Sequence, residues 1–434
     1  MHLQKHLKTL VQQNNRFVAL CEEFAVPVLP GIKPSFDRRV VRIVTPGTLI
    51  DEPFLNCCEN NYLMAITPVV SPSLKEDGDL GLAWIDVSTG EFFTKSTTIE
   101  TLFDDIVRIH PREVVLPRTM ESVDECPVRA IVRGESIVVS YLDIASPSHL
   151  QSPSRPLPVP DVPVNARGLA TSVLSPQESS AVSLLTRYLR SNLLDYMPSL
   201  SAPSKEVAEA RMEIDAHTLK SLEIREGVHE GGSTGTLLSC VKRTVTSGGT
   251  RLLSRWLCTS PTKPVPLFKA DGMLTGSPSA SLSEINARQS IVTFFHARPH
   301  LRRDLRDHLR GIGDVTRVVQ RFLLGRADTD DVATISTAIS IWSIVKNRLS
   351  LERELRFKEE DCDSEREWAS INALISRMQS LPELERKIQA SIDGPSTRLG
   401  SSIETVDEDA ITSHGLSADD NKWQQGYRWS INPE

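Results

Sequence analysis

The chain has 434 residues, 39% hydrophobic and 24% charged, with a formal net charge of -7. That length serves two or three cores, because single cores stop growing near roughly 250 residues. No apolar run is long enough to cross a bilayer as a helix, and the acidic balance argues against a protein that coats nucleic acid over its whole surface, while leaving room for a local basic face.

Residues 1–45 read as a helix from His2 to Gln13, a strand from Arg16 to Cys21 and a second from Arg39 to Val44. Lys5, Lys8 and Arg16 precede the first acid, Glu22, as in an organelle presequence, but Phe17 to Cys21 has the apolar pattern of a buried strand, which a cleaved peptide does not need. One helix and two strands cannot hide their own apolar faces, so the sequence is expected to begin part-way through a domain.

Residues 46–165 are expected to form an α/β domain. Alternation in Gly81 to Val87, the turn Ser88-Thr89-Gly90 and the pair Phe92 and Phe93 predict a hairpin. Thr101 to Ile109 predicts a helix, and Val114 to Leu116 and Ser136 to Ser140 predict short strands. Ser146 to Pro163, with prolines at 147, 153, 156, 158, 160 and 163, predicts an extended linker and ends the domain.

Residues 166–434 are predominantly helical in period. Ala181 to Leu194 carries an apolar face at 181, 182, 184, 185, 188 and 189; Asp314 is placed to cap a core helix built on Val315, Val318, Val319, Phe322 and Leu323. Further helices are expected at 284–297, 300–309, 330–348, 365–378 and 382–391, with a Gly/Ser/Pro-rich insertion at 271–281. After Asp393 the period is lost, and Trp423, Tyr427 and Trp429 have nothing local to pack on.

The residues that could carry chemistry mostly fail as sites. Gly231-Gly232-Ser233-Thr234-Gly235 lacks the Lys and Ser/Thr of a phosphate loop and reads as a turn. Asp86 precedes the predicted hairpin, where a two-metal nuclease places a carboxylate, but its only nearby acids, Glu91 and Glu113, have no recognisable spacing, so a turn-capping role is favoured. His296 and His300 are four apart, yet Pro299 interrupts the helix and no third ligand is evident. Arginines 302, 303, 306, 310, 317, 321 and 326 could line a phosphate-binding stripe; Asp304, Asp307 and Asp314 among them favour solvated faces and salt bridges instead. No nucleophilic triad can be assembled. The seven cysteines, Cys21, Cys57, Cys58, Cys126, Cys240, Cys258 and Cys362, are scattered without a C-x-x-C, which suits a reducing compartment.

Three stretches together resemble the MutS family of DNA mismatch-repair proteins. Arg38 to Glu52, RRVVRIVTPGTLIDE, is similar to the passage from the mismatch-binding domain into the connector; Gly81 to Phe93, GLAWIDVSTGEFF, resembles the connector's central hairpin. Met212 to Pro261, with MEIDAHTLKSLEI and GTLLSCVKRTVTSGGTRLLSRWL, resembles the heart of the family's core domain, and Asp314 to Asp328, DVTRVVQRFLLGRAD, a helix packed beside it. There Ser247 is placed to cap a helix whose Leu252, Leu253, Trp256 and Leu257 share a face, with Arg251 in its first turn. The positions matching the family signature are Asp215, Thr244, Thr246, Gly249, Arg251, Leu252, Trp256, Asp314 and Arg317. Lys242, Arg243 and the stretch KPSFDRR look more like the fungal mitochondrial homologue.

The resemblance implies a multidomain α/β plus all-α chain: a remnant of the mismatch-recognition domain at 1–45, an RNase-H-like α/β connector without a nuclease site at 46–165, and a helical core, or lever, at 166–434 that stops before the clamp. The family's mismatch wedge, Phe-x-Glu, does not stand ahead of residue 24. The resemblance also implies that ATP and magnesium belong to an ATPase lying outside this sequence, so the chain is expected to hold no cofactor and to hydrolyse no ATP. Its implied partners are mismatched double-stranded DNA and a MutS-type dimer partner, with no membrane. The implied location is the mitochondrion, with the nucleus as the alternative. Two other readings stay open: a truncated, non-catalytic helical scaffold and a metal-dependent nuclease. Core faces that lack their partner helices should make the chain prone to aggregate.

Overall fold

In the computed structural model the residues described are 6–25, 36–50, 55–68, 80–123, 126–143, 174–198, 200–206, 214–227, 232–258, 282–357, 368, 371–372, 375–376 and 378–392. A short wide-turned helix, Lys8–Gln13, leads into strand β1 (Val18–Ala25), which pairs antiparallel with β2 (Phe36–Val44). Both strands run longer than predicted because the ladder continues through exposed positions, where Arg38 meets Glu23 at 2.7 Å. Leu7, Val11 and Val44 gather around Leu49, so these elements bury apolar surface by borrowing residues that follow them.

The centre of the fold is a mixed sheet. Strands β3 (Tyr62–Thr67), β4 (Leu80–Asp86) and β5 (Glu91–Thr97) form an antiparallel meander. Helix α1 (Ile99–Ile109) carries the chain to β6 (Glu113–Pro117), parallel to β3, and helix α2 (Pro127–Gly134) to β7 (Val138–Leu142), parallel to β6. A two-residue strand, β8 (Ser204–Lys205), closes the order β7-β6-β3-β4-β5-β8. The alternation read in Gly81 to Val87 is not a buried face and a wet one: every residue of β4 is buried. Met64, Ile66, Leu82 and Trp84 pack against Leu102 and Ile106 of α1 and Val132 of α2, while Leu63, Ala65, Ala83 and Ile85 face the opposite way. A central strand covered on both sides needs a continuous apolar run.

The second cover is helix α3 (Pro176–Leu193). Its sequence position, after the proline-rich stretch, suggested a place among the later helices. Ala181, Leu184, Leu185 and Leu189 instead pack on the sheet, joining the α/β layer across the presumed boundary. The helix starts with a reciprocal capping box that the sequence reading missed: Ser175 accepts from the Glu178 N–H, and the Glu178 carboxylate accepts from the Ser175 N–H at 2.7 Å. Lys205 of β8 pairs with Glu178 at 2.7 Å. Gly81 permits the close seat, since a Cβ there would lie 2.1 Å from the Gln177 carbonyl oxygen. The linker at 146–163 lies outside the described residues.

The remainder is helical: α4 (Ala216–Ser221), α5 (Leu237–Val241), α6 (Ser247–Leu257), α7 (Leu282–Ala297), α8 (Pro299–Arg310), α9 (Val315–Leu323), α10 (Thr329–Phe357) and α11 (Pro382–Ile392). Phe294, Leu301, Leu305, Val345 and Leu349 share a core with Trp368, whose ring meets Phe294 edge-on at 4.7 Å. Helix α9 is less of a core helix than its period implied: Val318 is buried, but Val319, Phe322 and Leu323 are exposed. Residues Met1–Ile388 form one compact unit and Gln389–Glu434 a second, of which Gln389–Ile392, the end of α11, is described. The insertion at 271–281 and the aromatic residues 423, 427 and 429 lie outside the described residues.

Candidate functional site

The residues singled out around 244–256 and 314–317 converge where helices α6 and α9 meet the turn end of the β4–β5 hairpin. Thr246, extended at φ -112° and ψ 149°, is the cap of α6, its hydroxyl accepting from the Gly249 N–H at 3.2 Å. Ser247, read as the cap, is already helical. A Cβ on Gly249 would stand 2.8 Å from the Thr246 hydroxyl, so the tight cap needs a residue without one. Thr244 and Thr250 share a hydroxyl hydrogen bond of 2.8 Å that pins the approach to the helix.

The cap aims Arg251 inward. The expected apolar face, Leu252, Leu253, Trp256 and Leu257, is only half-buried, whereas Thr250 and Arg251 are the buried residues of α6. The helix therefore docks through polar groups, and the ring of Trp256 instead lies under Arg288 at 5.9 Å. The Arg251 guanidinium donates to both oxygens of Asp314, at 2.5 and 2.8 Å, and to the Cys57 carbonyl at 2.8 Å. Asp314 in turn caps α9, accepting from the Arg317 N–H. Arg317, 3% exposed, donates to the Ser88 hydroxyl at 3.2 Å and to the carbonyls of Asn56 and Glu59 at 3.2 and 2.9 Å. Two arginines from two helices thus clamp the loop 55–60 and the hairpin turn, and one aspartate holds both helices.

The hairpin is built to receive them. Asp86 is fully buried and accepts from the Ser88 N–H and hydroxyl at 2.9 and 2.6 Å and from the Asn61 N–H at 3.0 Å. One oxygen serves the turn, the capping role expected of it, and the other ties the turn to the start of β3 through Asn61. Gly90, at φ 75°, completes the turn, and a Cβ there would lie 2.8 Å from Oε1 of Gln320 on α9. Glu91 meets Arg255 of α6 at 3.1 Å. Burial pushes the Asp314 carboxyl up, but the hydrogen bonds and charge of Arg251 outweigh it and hold the group below the usual range. At Asp86 burial wins over Ser88, Asn61 and Arg317, and the carboxyl is raised.

A second fastening lies along α1. Asp104 accepts from the Ala216 N–H at 2.6 Å, Lys220 meets Glu135 at 2.7 Å, and Arg225 donates to the Arg108 carbonyl at 2.9 Å. Asp215 plays the local part of capping α4 through the Thr218 N–H at 3.0 Å. Between the two fastenings lies a cavity of about 290 Å³ lined by Tyr62, Trp84, Phe93 and several arginines. Several charges there are met by carboxylates: Arg112 by Glu59 at 2.6 Å, Arg108 by Asp105 at 2.9 Å and Glu206 at 3.1 Å, and Arg255 by Glu91.

The other candidates disperse. Glu113, weighed as a metal ligand, is fully buried on β6, where it accepts from the Thr45 hydroxyl at 2.6 Å, the Gly47 N–H at 2.9 Å, the Ser140 hydroxyl at 2.6 Å and the Tyr188 hydroxyl. It ties the entry loop, the sheet and α3 together, a role that an acid at the head of the apolar run EVVLP could have signalled. Among the described residues no group of three His, Cys, Asp or Glu is placed to hold a metal ion. His296 and His300 are exposed. The arginine stripe breaks up: Arg317 is in the clamp, Arg321 pairs with Asp331, Arg310 with Asp307, Arg306 donates to the Arg243 carbonyl, and Arg326 lies over Tyr196 at 5.2 Å. Asp304 meets Arg348 at 3.2 Å.

Comparison with known proteins agrees with this arrangement. MutS domain I matches residues 1–53, MutS domain II residues 61–146 and MutS domain III residues 217–415. The DNA mismatch repair protein MutS of Cereibacter sphaeroides is 31% identical over 358 residues, covering 79% of this chain and 35% of its own length. That of Rhizobium meliloti is 31% identical over 349 residues, covering 80% and 35%, and that of Bartonella henselae 29% over 366 residues, also 80% and 35%. The chain thus spans about a third of the length of these relatives. With three consecutive domains matched in order and relatives 31% identical over 79% and 80% of its length, the chain belongs to the MutS family.

Proposed function

We propose that this chain is the transmitting part of a DNA mismatch-repair protein. It supplies connector and lever, and it couples a DNA-binding region to an ATP-binding region that lie elsewhere in the whole protein. The observation that carries this is the clamp of Arg251, Asp314 and Arg317. A seam held by two buried guanidinium groups, which donate to the carbonyls of Cys57, Asn56 and Glu59 and to the Ser88 hydroxyl, moves as one piece or separates, and does not slide, because partial opening leaves those donors buried without acceptors. Displacement of helices α6 and α9 is therefore passed to the hairpin of the sheet. The strand order, with an antiparallel meander flanked by two parallel strands, supports an RNase-H-like connector, and the engagement of both Asp86 oxygens by Ser88 and Asn61 argues against nuclease chemistry. Lys242 and Arg243 support the mitochondrial branch, and with it a mitochondrial location; mismatched duplex and a MutS-type dimer partner belong to the whole protein.

The test is a titration of the chain against matched and mismatched duplexes at several salt concentrations, with ATP hydrolysis assayed in parallel. Weak, salt-sensitive and equal binding to both duplexes, with no hydrolysis, is the expected result. A tenfold preference for the mismatch, about 1.4 kcal/mol, overturns the assignment of transmission without recognition.

A further inference from the structure

The loop held by the two arginines contains adjacent cysteines, and nothing in the family role uses them. The Cys57 and Cys58 sulfurs lie 3.5 Å apart, Cys57 is exposed, and the Lys242 ammonium lies 3.6 Å from the Cys58 sulfur. The carbonyl of the peptide joining them, that of Cys57, is the acceptor Arg251 uses at 2.8 Å. We propose that Cys57 and Cys58 are a redox modification site whose closure into a disulfide between neighbouring residues releases the Arg251 clamp. The inference rests on the transmitting role proposed for that clamp.

The mechanical argument is one of reach. Consecutive Cα atoms stand about 3.8 Å apart across a trans peptide, whereas disulfides favour Cα separations of about 4.4–6.8 Å. Closing the bond therefore distorts the intervening peptide and turns its carbonyl, and that carbonyl is the one gripped by Arg251. A bond formed under such strain is easily reduced, which suits a reversible switch. The oxidant is a low-molecular-weight disulfide such as glutathione disulfide. The exposed Cys57, as thiolate, attacks one of its sulfurs, forming a mixed disulfide and expelling one glutathione thiolate. Cys58, whose thiol burial raises while Lys242 opposes that effect, then loses its proton and attacks the Cys57 sulfur. The protein disulfide forms and a second glutathione thiolate leaves. Two protein thiols surrender two electrons and two protons, and the oxidant becomes two thiols.

The test incubates the 434-residue chain with glutathione disulfide, blocks free thiols, and reads peptide masses alongside amide hydrogen exchange. The expected result is loss of two hydrogens within the peptide carrying Cys57 and Cys58, no retained glutathione, and about tenfold faster exchange in loop 55–60 and the first turn of α6. Dithiothreitol reverses both changes, and Cys57→Ser and Cys58→Ser show neither. A stable glutathione adduct, a bond to Cys21 or Cys240, or closure with unchanged exchange overturns the proposal. Reduced Arg251→Ala separates the two ideas. If exchange at the seam does not speed up in that variant, the clamp itself is misread; if it does but oxidation leaves exchange unchanged, the redox inference alone fails.

Discussion

The sheet and the helices that dock on it are stabilised in different ways. Around β3, β4 and β6 apolar side chains pack on both faces of the sheet, and the one carboxylate inside β6, Glu113, is surrounded by four donors from its own neighbourhood. At the seam with α6 and α9 Arg251 and Arg317, held by Asp314 between them, donate to the carbonyls of loop 55–60 and to Ser88. Apolar burial is tolerant of small displacements, since it scales with area. A charge-assisted hydrogen bond is not, because its strength depends on geometry. The sheet is thus built to stay whole and the seam to hold or release.

The largest expected effect tests the seam. Arg251→Ala leaves Asp314 buried without its partner and should cost about 3–5 kcal/mol in chemical denaturation. The same variant has an acid signature. Asp314 titrates lower in the folded chain than in the unfolded one, so the stability it contributes is complete above the ordinary aspartate value of about 3.9 and is lost as the pH falls through the depressed folded value. Wild-type protein should show that loss and Arg251→Ala should lack most of it; equal acid profiles would remove the ion pair from the account.

A smaller effect is expected inside the sheet unit. Gly81→Ala places a Cβ against the backbone of Gln177, which has no flexible end to yield, and should lower stability by about 1–3 kcal/mol through overpacking. A melting temperature unchanged from wild type would mean that α3 is not seated on β4 as described. The smallest effect is expected on the exposed side of α9, where Phe322→Ser should stay within about 0.5 kcal/mol of wild type in this chain. A loss as large as that of Gly81→Ala would reveal a covered surface and erase the contrast between the two regions.

Much of this was legible in the residues. The hairpin of β4 and β5 followed from a turn of Ser, Thr and Gly between apolar runs, and α9 from Asp314 followed by a helical period. The signature positions Thr246, Gly249, Arg251, Asp314 and Arg317 were identified as a set, though not as a contact. What the period could not reveal was the partner of each face. The stripe on α3 has the same spacing whether it meets a sheet or another helix, so its transfer to the sheet was invisible. The apolar positions of α6 suggested a greasy docking face, while Thr250 and Arg251 make the buried contact, because a cap and an ion pair outweigh half-buried leucines at that spot. The loop 55–60 carries no pattern at all, since its part is played by backbone carbonyls, which every residue has.

By itself, then, the order of residues determined the local elements, the family, and the polar residues held in reserve for one task. Local propensity and periodicity act over a few residues and need no knowledge of what lies across the fold. Only the tertiary structure decided that Arg251 and Arg317 close on carbonyls nearly two hundred or more positions away, that Glu113 serves as a knot among four donors, and that Cys57 and Cys58 lie under the clamp. Those choices depend on which buried donors meet which acceptors at hydrogen-bond distance, and desolvation makes any other pairing costly.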